Sequence, residues 1–379
     1  MGITVVIAPD SFKGTLAAAE VAGAIAAGWR EVRPQDALIL MPQADGGEGT
    51  LDALEALVPG AVRHDIGLVT GPDGRPTPGA WLELADGVAV VELAHASGLP
   101  LMAAPDALGA TTRGLGEVIV AALDAGATSL VVALGGSAST DGASGALMAL
   151  GLRLADDHGR TIPDGGQALA TITSVDASAL RRPATVTLLT DVTAPLLGPT
   201  GAAATFGPQK GATPAQVAEL DAALAHFATL LGGDPTTAGA GAAGGAAWGF
   251  ATAWGATMVS GADYLAELGG LAAVLKDADL LLTGEGRFDA QSLGGKVVGQ
   301  LLQTAASADV PAGVIAGQVA VDADVWSASI TDLAGSVEAA MADTSRWLHA
   351  AGAKAARELV RVGLQELVKF SVVDPGEGS

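Results

Sequence analysis

Residues 3–30 read ITVVIAPDSFKGTLAAAEVAGAIAAGWR, and the order of residue types in this stretch decides the fold class. The branched apolar run Ile3–Ala8 predicts a β-strand, the polar segment at 8–15 predicts a loop, and the alanine-rich stretch Ala17–Arg30 predicts a helix. The same order returns along the chain, which indicates an α/β protein built of layered sheets and helices. The other predicted strands are Ala37–Met41, Val88–Leu93, Ser129–Leu134, Thr185–Leu189, Asp279–Thr283 and Ala312–Ala316, and the other predicted helices are Thr112–Ala125, Pro214–Leu231 and Val337–Val368.

One stretch, residues 62–93, departs from this alternation. Its strand-like runs are separated by the turn signals GPDG at 71–74 and DG at 86–87, which suit antiparallel hairpins better than crossover connections. A second, mixed sheet is therefore predicted to begin there. A chain of 379 residues also exceeds the size at which a single core usually stops growing, so two domains are expected. The predicted domains are 1–62 together with 275–379, and an inserted domain at 63–274.

The chain is strongly acidic, with 19 lysine and arginine residues against 41 aspartate and glutamate residues and a formal net charge of -22. Such a charge repels nucleic-acid backbones and anionic membrane surfaces, so neither is an expected partner. A small anionic substrate is compatible with it, provided that a few of the cations converge on one pocket. The lysine and arginine residues inside glycine-rich loops are therefore the informative ones.

The sequence also bears on compartment and on membranes. There is no cysteine, which excludes disulfides and thiolate metal sites. No basic segment precedes the first apolar run, and Pro9 ends that run early, so no secretory leader is expected and the predicted location is the cytoplasm. Residues 235–262 carry no charge, but they are mostly glycine, alanine and threonine, which predicts packed helix and loop rather than a membrane span.

Five polar, glycine-containing segments each follow a predicted strand and precede a helix. In open parallel sheets, ligands bind outside the carboxyl ends of the strands, where loops gather and helix N-termini direct their positive ends. Five such segments predict a large polar ligand. They are APDSFKGT (8–15), PQADGGEGT (42–50), LGGSASTDG (134–142), LTDVT (189–193) and TGEGRFDAQSLGGK (283–296).

The first two segments combine acids with a hydroxyl and a lysine. Ser11 can cap the helix that follows and leave Lys13 to meet an anion, although a plain capping turn has the same pattern. Asp45 and Glu48 place two carboxylates among glycines, which suits Mg²⁺ held by one or two acids and substrate phosphates. An ordinary turn explains that second pattern equally well.

The third and fourth segments, and a lysine beyond them, point to phosphate chemistry. Gly135 and Gly136 offer backbone N–H groups without bulky side chains, as a phosphate cradle does. Asp191, at the end of an apolar run, suits a general base or a metal ligand, and also a simple helix cap. Lys210 stands just ahead of a helix that Thr213 is predicted to cap, and it is a further candidate anion contact.

The fifth segment carries both charges. Arg287 can hold a planar carboxylate through two hydrogen bonds, and Lys296 can act as a point charge on phosphate. Glu285 and Asp289 accompany them, so the alternative is an internal cluster of salt bridges that ties loops together.

Several familiar motifs are absent from the sequence or lie in the wrong context. No GxxxxGK[ST] occurs, which excludes a P-loop enzyme, and there is no GxSxG elbow of a covalent hydrolase. One GxGxxG, at 239–244, follows DPTT rather than a strand, so dinucleotide binding is not predicted. The five histidines are scattered and show no metal-ligand spacing.

Together the polar segments resemble one family, the bacterial type I glycerate kinases. The matching strings run in the family's order from position 7 to position 344, so the resemblance covers nearly the whole chain. Two departures stand out in one loop where the family tends to read GGSATNDGG: this chain has Thr140 for the asparagine and Ala143 for the last glycine, while Asp141 is retained. The matching strings are IAPDSFKGT, ADGGEGT, GGSASTDG, DVT, LLGPTGAAATFGPQKGAT, GAGAAGG, TGEGRFDAQSLGGK and EAAMADT.

The resemblance implies ATP-dependent phosphorylation of D-glycerate to 2-phosphoglycerate by direct in-line transfer, with ATP and Mg²⁺ as cofactors. It also implies two α/β domains, a flavodoxin-like parallel-sheet domain into which a mixed-sheet α/β domain is inserted, with the active site in the cleft between them. The oligomeric state is left open, and a homodimer is compatible with the sequence. Three alternatives stay open as well: 3-phosphoglycerate as the product, a related small hydroxy acid as the substrate, and a non-catalytic sugar-acid binding protein.

Roles within the site are hypotheses built on that resemblance. Asp191 is assigned to accept or orient the proton of the attacking hydroxyl, with Asp45 as the competing candidate. Arg287 would hold the glycerate carboxylate, while Lys13 and Lys296 would face the transferring phosphoryl group. The catalytic set is Asp191, Lys13, Arg287 and Lys296; the substrate-binding set is Asp10, Ser11, Asp45, Gly46, Gly47 and Arg287; the nucleotide-binding set is Gly135, Gly136, Ser137, Asp141, Lys210 and Lys296; and the Mg²⁺ ligands are Asp289 or Glu285.

Overall fold

The computed structural model describes residues 2–294 and 297–361, and strands alternate with helices along them. The strands are β1 Thr4–Ile7, β2 Ala37–Leu40, β3 Val62–Thr70, β4 Pro76–Leu84, β5 Val88–Glu92, β6 Ser129–Ala133, β7 Arg153–Ala155, β8 Ser174–Asp176, β9 Thr185–Leu189, β10 Thr257–Val259, β11 Leu280–Phe288, β12 Ala312–Val319 and β13 Trp326–Ser329. The helices are α1 Ala18–Val32, α2 Thr50–Leu57, α3 Leu93–Ser97, α4 Arg113–Asp124, α5 Ser144–Ala149, α6 Ala202–Phe206, α7 Pro214–Leu231, α8 Ala242–Trp254, α9 Gly261–Leu268, α10 Leu271–Leu275, α11 Ala290–Leu293, α12 Val297–Ser307, α13 Ile330–Ala334, α14 Val337–Ala342 and α15 Thr344–Arg361.

The chain divides into two compact units. The parallel-sheet unit comprises Met1–Asp45, Asp52–Pro59 and Ala262–Ser379, and the mixed-sheet unit comprises Gly46–Leu51 and Gly60–Gly261. The expected class, an α/β protein with one parallel and one mixed sheet, is confirmed. The domain division at residues 62 and 275 stays a prediction.

The parallel-sheet unit is built on a five-stranded sheet in the order β13-β12-β11-β1-β2, and all of its pairings are parallel. Numbered within this sheet alone, the order is 2-1-3-4-5, the flavodoxin-like order, whose strand order reverses between its first and third strands. Here those two strands are β1 and β11. Loops that leave their carboxyl ends are therefore the expected place for a ligand.

Both faces of this sheet are covered by helices. On β1 the side chains of Val5 and Ile7 join one buried cluster with residues of α1 and α15, while Val6 joins another with residues of α10 and α12. Strands buried on both faces are continuously apolar rather than alternating, which is how these runs are recognised in the sequence.

Two elements of this unit differ most from the prediction. The strand expected at Asp279–Thr283 continues to Phe288, so the first part of the polar stretch 283–296 is strand rather than loop. The reason is its neighbour, since β12 pairs with β11 as far as Phe288, whereas β1 pairs only with residues 280–282. The helix expected at Val337–Val368 is divided at Asp343, whose backbone is not helical, and residues 362–368 lie outside the described residues.

The mixed-sheet unit is built on a six-stranded sheet in the order β10-β9-β6-β5-β4-β3. Strands β3, β4 and β5 pair antiparallel, as residues 62–93 predict, and the remaining pairings are parallel. The turn from β4 to β5 contains Asp86 and Gly87 at φ of 61° and 73°, a left-handed geometry that tight hairpins use. The prediction of antiparallel hairpins in this stretch is confirmed.

Small residues let two long helices of the parallel-sheet unit pack closely. A Cβ atom added to Gly28 of α1 would lie 1.9 Å from the His349 carbonyl oxygen of α15. In return, a Cβ atom at Gly352 would lie 2.2 Å from the carbonyl oxygen of Ile25. Backbone meets backbone at both places, so no larger side chain fits there.

The uncharged stretch 235–262 lies in the mixed-sheet unit as far as Gly261 and contains α8, whose Trp248 and Phe250 are buried. Among the described residues, no helix has both the length and the apolar character that crossing a membrane requires.

Candidate functional site

One cavity of the parallel-sheet unit gathers charged residues from three of the five polar segments. It has a volume of about 440 Å³ and lies by the carboxyl ends of β1 and β11, and we name it the carboxylate pocket. Its position follows from the strand order, because β1 and β11 flank the point at which that order reverses. The lining residues are Asp10, Ser11, Lys13, Asp45, Glu285, Gly286, Arg287, Asp289 and Val297.

Asp10 is the buried acid of this pocket. Its Oδ1 accepts a hydrogen bond from the backbone N–H of Ser11 at 2.6 Å. Burial raises the pKa of the Asp10 carboxyl to about 7, and the charge of Asp45 and, more weakly, that of Glu285 act in the same direction, while Lys13 opposes them. Negative charge is therefore concentrated here beyond what the protein offsets by itself, and a bound cation would relieve it.

The two cations of the pocket reach toward solvent. Lys13 Nζ lies 3.4 Å from Asp45 Oδ2, and Arg287 Nε lies 3.3 Å from Asp289 Oδ2. The side chains of Lys13 and Arg287 are 58% and 63% exposed, and exposed pairs of this kind contribute little to stability. Both cations can therefore turn to a ligand at small cost. The ion pair between Arg287 and Asp289 also agrees in part with the alternative interpretation of the fifth segment, an internal cluster of salt bridges.

Ser11 does not cap the helix that follows it. Helix α1 begins at Ala18, and the side chain of Glu20 accepts the backbone N–H of Ala17 instead. The Ser11 hydroxyl oxygen is buried without a hydrogen-bond partner among the described residues. A ligand in the carboxylate pocket is the natural partner for a polar group left in that state.

A second cavity lies in the mixed-sheet unit, where residues from the third and fourth segments meet Lys210. We name it the Lys210 pocket, and its volume is about 300 Å³. It combines a polar end with an apolar wall, as pockets for small organic ligands commonly do. The lining residues are Glu48, Leu99, Pro100, Leu134, Gly135, Gly136, Ser137, Thr190, Val192, Phe206, Gln209, Lys210, Ala242 and Ala243.

Lys210 is almost fully buried at the polar end of this pocket. Its ammonium group donates to the Ser137 hydroxyl at 2.8 Å and to the Ser139 carbonyl oxygen. Burial lowers the pKa of Lys210 to about 7, although the charge of Asp141 acts in the opposite direction. A buried ammonium with this pKa gains a great deal from an incoming anion, since the anion restores the charged form.

Gly135 and Gly136, the glycines predicted to cradle phosphate, both line the Lys210 pocket, but the N–H of Gly135 does not face a ligand. The N–H of Gly135 donates to the carbonyl oxygen of Gly46 at 3.0 Å, so that group is already used. A Cβ atom at Gly135 would lie 2.4 Å from the Cα of Gly47, which explains the need for glycine. Gly46 and Gly47 thus pack within the mixed-sheet unit, and they do not line the carboxylate pocket with Asp10 and Asp45.

Asp141 does not line the Lys210 pocket. It is fully buried, and its carboxylate accepts the backbone N–H and the hydroxyl of Thr112, as well as the N–H groups of Ala143 and Gly145. Burial, the largest effect, raises its pKa. This arrangement anchors the starts of α4 and α5, and it holds Ala143 at a φ of 63°, in the left-handed region that glycine favours.

Of the predicted catalytic residues, Asp191 is less closely enclosed than Lys210. The Asp191 side chain is exposed, while its chain neighbours Thr190 and Val192 line the Lys210 pocket. Lys296 lies outside the described residues, although Val297, next in the chain, lines the carboxylate pocket.

The described residues contain no group of three or more histidine, aspartate or glutamate side chains that could hold a metal ion by themselves. The Asp289 carboxylate caps α11 by accepting the N–H of Gln291, and Glu285 lies in β11. A Mg²⁺ ion bound here would need most of its ligands from substrate phosphates and water, which is how proteins usually hold it. The surplus of carboxylates around Asp10 fits a cation of this kind.

Sequence reasoning missed the apolar wall of the Lys210 pocket. Leu99 and Pro100 lie far from Phe206 in the sequence, and none of the three carries a polar signal of its own.

A further cavity of about 190 Å³ lies in the parallel-sheet unit and shares Lys13 with the carboxylate pocket. The segment EAAMADT supplies Ala340, Met341 and Thr344 to it.

Comparisons with known proteins agree with the resemblance. Residues 5–360 match the Glycerate kinase family. The chain is 43% identical over 331 residues to the glycerate kinase of Bacillus subtilis (strain 168), covering 84% of this chain and 86% of that one. It is 41% identical over 332 residues to the glycerate 2-kinase of Escherichia coli (strain K12), covering 85% and 87%. A crystal structure described as glycerate kinase 2 from Salmonella typhimurium LT2 matches with a TM-score of 0.80 at 37% identity, covering 96% of this chain and 100% of that chain.

Proposed function

Since this chain belongs to the glycerate kinase family and is therefore a kinase that uses ATP, we propose that it phosphorylates the 2-hydroxyl of D-glycerate. The relative described as glycerate 2-kinase, 41% identical, supports the choice of hydroxyl. The observation that carries the site is the convergence of Lys13, Arg287 and Asp10 in one pocket. Phosphoryl transfer needs positioning and neutralisation of charge more than covalent chemistry, and these groups supply both.

We propose that glycerate binds in the carboxylate pocket. Arg287 is exposed and carries the fork of N–H groups that matches a carboxylate, so it is assigned to the carboxylate of glycerate. Lys13 is assigned to the transferring phosphoryl group as a point charge. The unpartnered Ser11 hydroxyl is assigned to a hydroxyl of the substrate.

We propose that ATP binds in the Lys210 pocket. Lys210 and Ser137 form its polar end and are assigned to the phosphates. Leu99, Pro100 and Phe206 are assigned to the adenine ring, because the flat faces of an aromatic base pack well against apolar side chains. The position of the active site relative to the two units stays a prediction.

Asp191 is proposed to accept the proton of the attacking hydroxyl, with Asp45 as the competitor. The neighbours of Asp191 line the Lys210 pocket, which supports a place close to the phosphates of ATP. Asp45 lines the carboxylate pocket, where it lies within reach of Lys13. If Asp191 is the base, its replacement by asparagine removes turnover. If Asp45 is the base, the same replacement at Asp45 removes turnover.

Mg²⁺ is proposed to bind with ATP, with Glu285 or Asp289 contributing a carboxylate oxygen. Bound there, the ion would supply positive charge to the phosphate oxygens. Because the proposed reaction consumes ATP, we place the enzyme in the cytoplasm.

A coupled assay of ADP release tests the function. D-glycerate, glycolate, tartronate and glycerol are compared at equal concentration. We expect turnover with D-glycerate to exceed that with glycerol at least about tenfold, because glycerol lacks the carboxylate that Arg287 is assigned to pair with. Glycolate and tartronate keep a carboxylate, so they test how far the rest of the substrate is recognised. Nuclear magnetic resonance of the product then distinguishes phosphorylation at the 2- and 3-hydroxyls. Absence of turnover with D-glycerate would overturn the proposal. Turnover with a related acid alone would favour a kinase for that acid, and binding of glycerate without turnover with any of the four acceptors would favour a binding protein.

A further inference from the structure

The segment 46–51 lies at the carboxyl ends of three neighbouring strands of the mixed sheet, β9, β6 and β5. The Gly46 carbonyl oxygen accepts the N–H of Gly135, which follows β6. A Cβ atom on Gly46 would lie 2.8 Å from the Cβ of Leu189, the last residue of β9. Glu92, the last residue of β5, contacts the other end of the segment.

Glu92 holds that end with both of its carboxylate oxygens. Oε1 accepts the N–H of Gly49 at 3.1 Å, and Oε2 accepts the N–H of Leu51 at 3.0 Å. The side chain is only 5% exposed, and a carboxylate buried to this degree is costly unless hydrogen bonds compensate it. Leu51 lies in the first turn of α2, whose N–H groups have no partner within the helix, so the negative charge is well placed there.

The segment needs such an anchor because its own sequence does not fix its shape. Gly46 and Gly49 have φ of 82° and 88°, and glycine visits many other conformations when nothing holds it. Between them stands Glu48, which lines the Lys210 pocket together with Gly135 and Ser137. The segment that Glu92 holds, 46–51, therefore contributes to the wall of that pocket.

We infer that Glu92 is a positioning residue: it keeps segment 46–51 in the wall of the Lys210 pocket, and the affinity for ATP depends on it. This inference rests on the proposed function of that pocket as the nucleotide site. Glu92 itself is assigned no contact with ATP, and it acts through the backbone of Gly49 and Leu51.

Glu92→Gln tests the inference with little change of shape. The amide keeps one acceptor, but it turns an NH₂ group toward the second backbone N–H, so one of the two hydrogen bonds is lost. Glu117→Gln is the matched control, since Glu117 also accepts a backbone N–H, that of Thr70 at 2.7 Å, in the same unit and outside the pocket. Glu92→Asp, which keeps the charge on a shorter side chain, replaces Glu92→Gln if that variant does not fold.

Two measurements are made on each full-length protein. Hydrogen exchange without ligand reports on the segment, and we expect the amides of Gly49 and Leu51 to exchange at least about tenfold faster in Glu92→Gln than in wild type or Glu117→Gln. Steady-state kinetics report on the pocket, and we expect KM for ATP to rise about tenfold while KM for glycerate changes less than about threefold.

The outcomes separate the anchor from the function. Unchanged exchange of Gly49 and Leu51 would overturn the inference whatever the kinetics show. Faster exchange with an unchanged KM for ATP would overturn the dependence of ATP affinity on Glu92. If wild-type protein itself does not bind ATP in a calorimeter, the proposed function of the pocket fails, and the exchange data still decide whether Glu92 anchors the segment.

Discussion

Lys210 Nζ lies 2.8 Å from the hydroxyl of Ser137, and that hydroxyl is its only described side-chain hydrogen-bond partner. A buried ammonium satisfied by a hydroxyl and a carbonyl has no carboxylate bound directly to it, although Asp141 acts on it through charge. Such a group is prepared for an anion rather than neutralised by the protein.

Lys210→Met should therefore weaken ATP binding by about 100-fold, the size expected for a buried, charge-assisted contact. Calorimetry with ATP measures it, and the same titration in buffers of different ionisation enthalpy should show proton uptake by wild type at pH 8, because phosphates raise the lowered pKa of Lys210. Lys276→Met serves as the control, since it lies outside both pockets. Equal affinity in Lys210→Met and wild type would show that the phosphates bind elsewhere.

Asp191→Asn should lower kcat by about 100-fold or more while both KM values stay within about threefold, since removal of a general base affects the transition state alone. Initial rates with saturating D-glycerate measure it. Asp124→Asn is the matched control, because Asp124 is an exposed aspartate of the same unit that pairs with Arg181. A kcat within about threefold of wild type would point to Asp45, which the parallel variant Asp45→Asn examines.

Arg287→Gln should raise KM for glycerate by about 10- to 100-fold, because a paired, charge-assisted contact to the substrate carboxylate is lost. KM for ATP should change little. Arg160→Gln provides the comparison, since Arg160 is similarly exposed, pairs with Asp156 and lines neither pocket. If both variants keep the wild-type KM for glycerate, Arg287 only holds Asp289.

Asp10 gives the stability of the enzyme a pH dependence. Its pKa is raised from 3.8 to about 7 by burial and by neighbouring carboxylates, so between these values the folded chain keeps a proton that the unfolded chain has released. The stabilisation is present near pH 4 and lost as the pH rises through 7. The difference in free energy of unfolding between Asp10→Asn and wild type should therefore shift in favour of the variant by on the order of 1–3 kcal/mol as the pH rises from 5 to 8. Urea unfolding at the two pH values measures it. An equal difference at both pH values would contradict this.

Asp141→Asn should destabilise the fold by about 2 kcal/mol, because an amide cannot accept all the backbone and hydroxyl donors that converge on the carboxylate. Thermal unfolding measures the loss, while any rise of KM for ATP should be small and should shrink as the pH is lowered, because Asp141 favours the charged form of Lys210 without lining its pocket. The opposite pattern, unchanged stability with a raised KM, would place Asp141 among the nucleotide contacts.

Local sequence determines much of the fold where one segment contains all the necessary information. Helix α7 matches its prediction to the residue, because Thr213 caps it and Gln216 completes the capping box. Strand β9 also matches its prediction to the residue. In both cases the signals stand within a few residues of the element's ends.

The site was predictable in its residue types and less so in its grouping. Asp10, Lys13, Asp45 and Arg287 gather in one pocket because the strand order brings the carboxyl end of β11 next to the loops that follow β1 and β2. By contrast, the length of β11 depends on its pairing with β12, and the placement of Gly46 depends on Gly135 and Leu189, distant in sequence. Contacts between residues distant in sequence give no local sequence signal. For the same reason the sequence does not reveal that Glu92 contacts Gly49 and Leu51.

The close contact of Gly28 with His349 has a consequence for biosynthesis. Strand β1 and helix α1 are made first, but their partners β11 and α15 leave the ribosome more than 270 residues later. Residues 60–261 are complete before β11 and well before α15, so we expect the mixed-sheet unit to fold while translation continues and the parallel-sheet unit to form last. During that interval the apolar faces of β1 and α1 are exposed, which makes the nascent chain a natural client for chaperones.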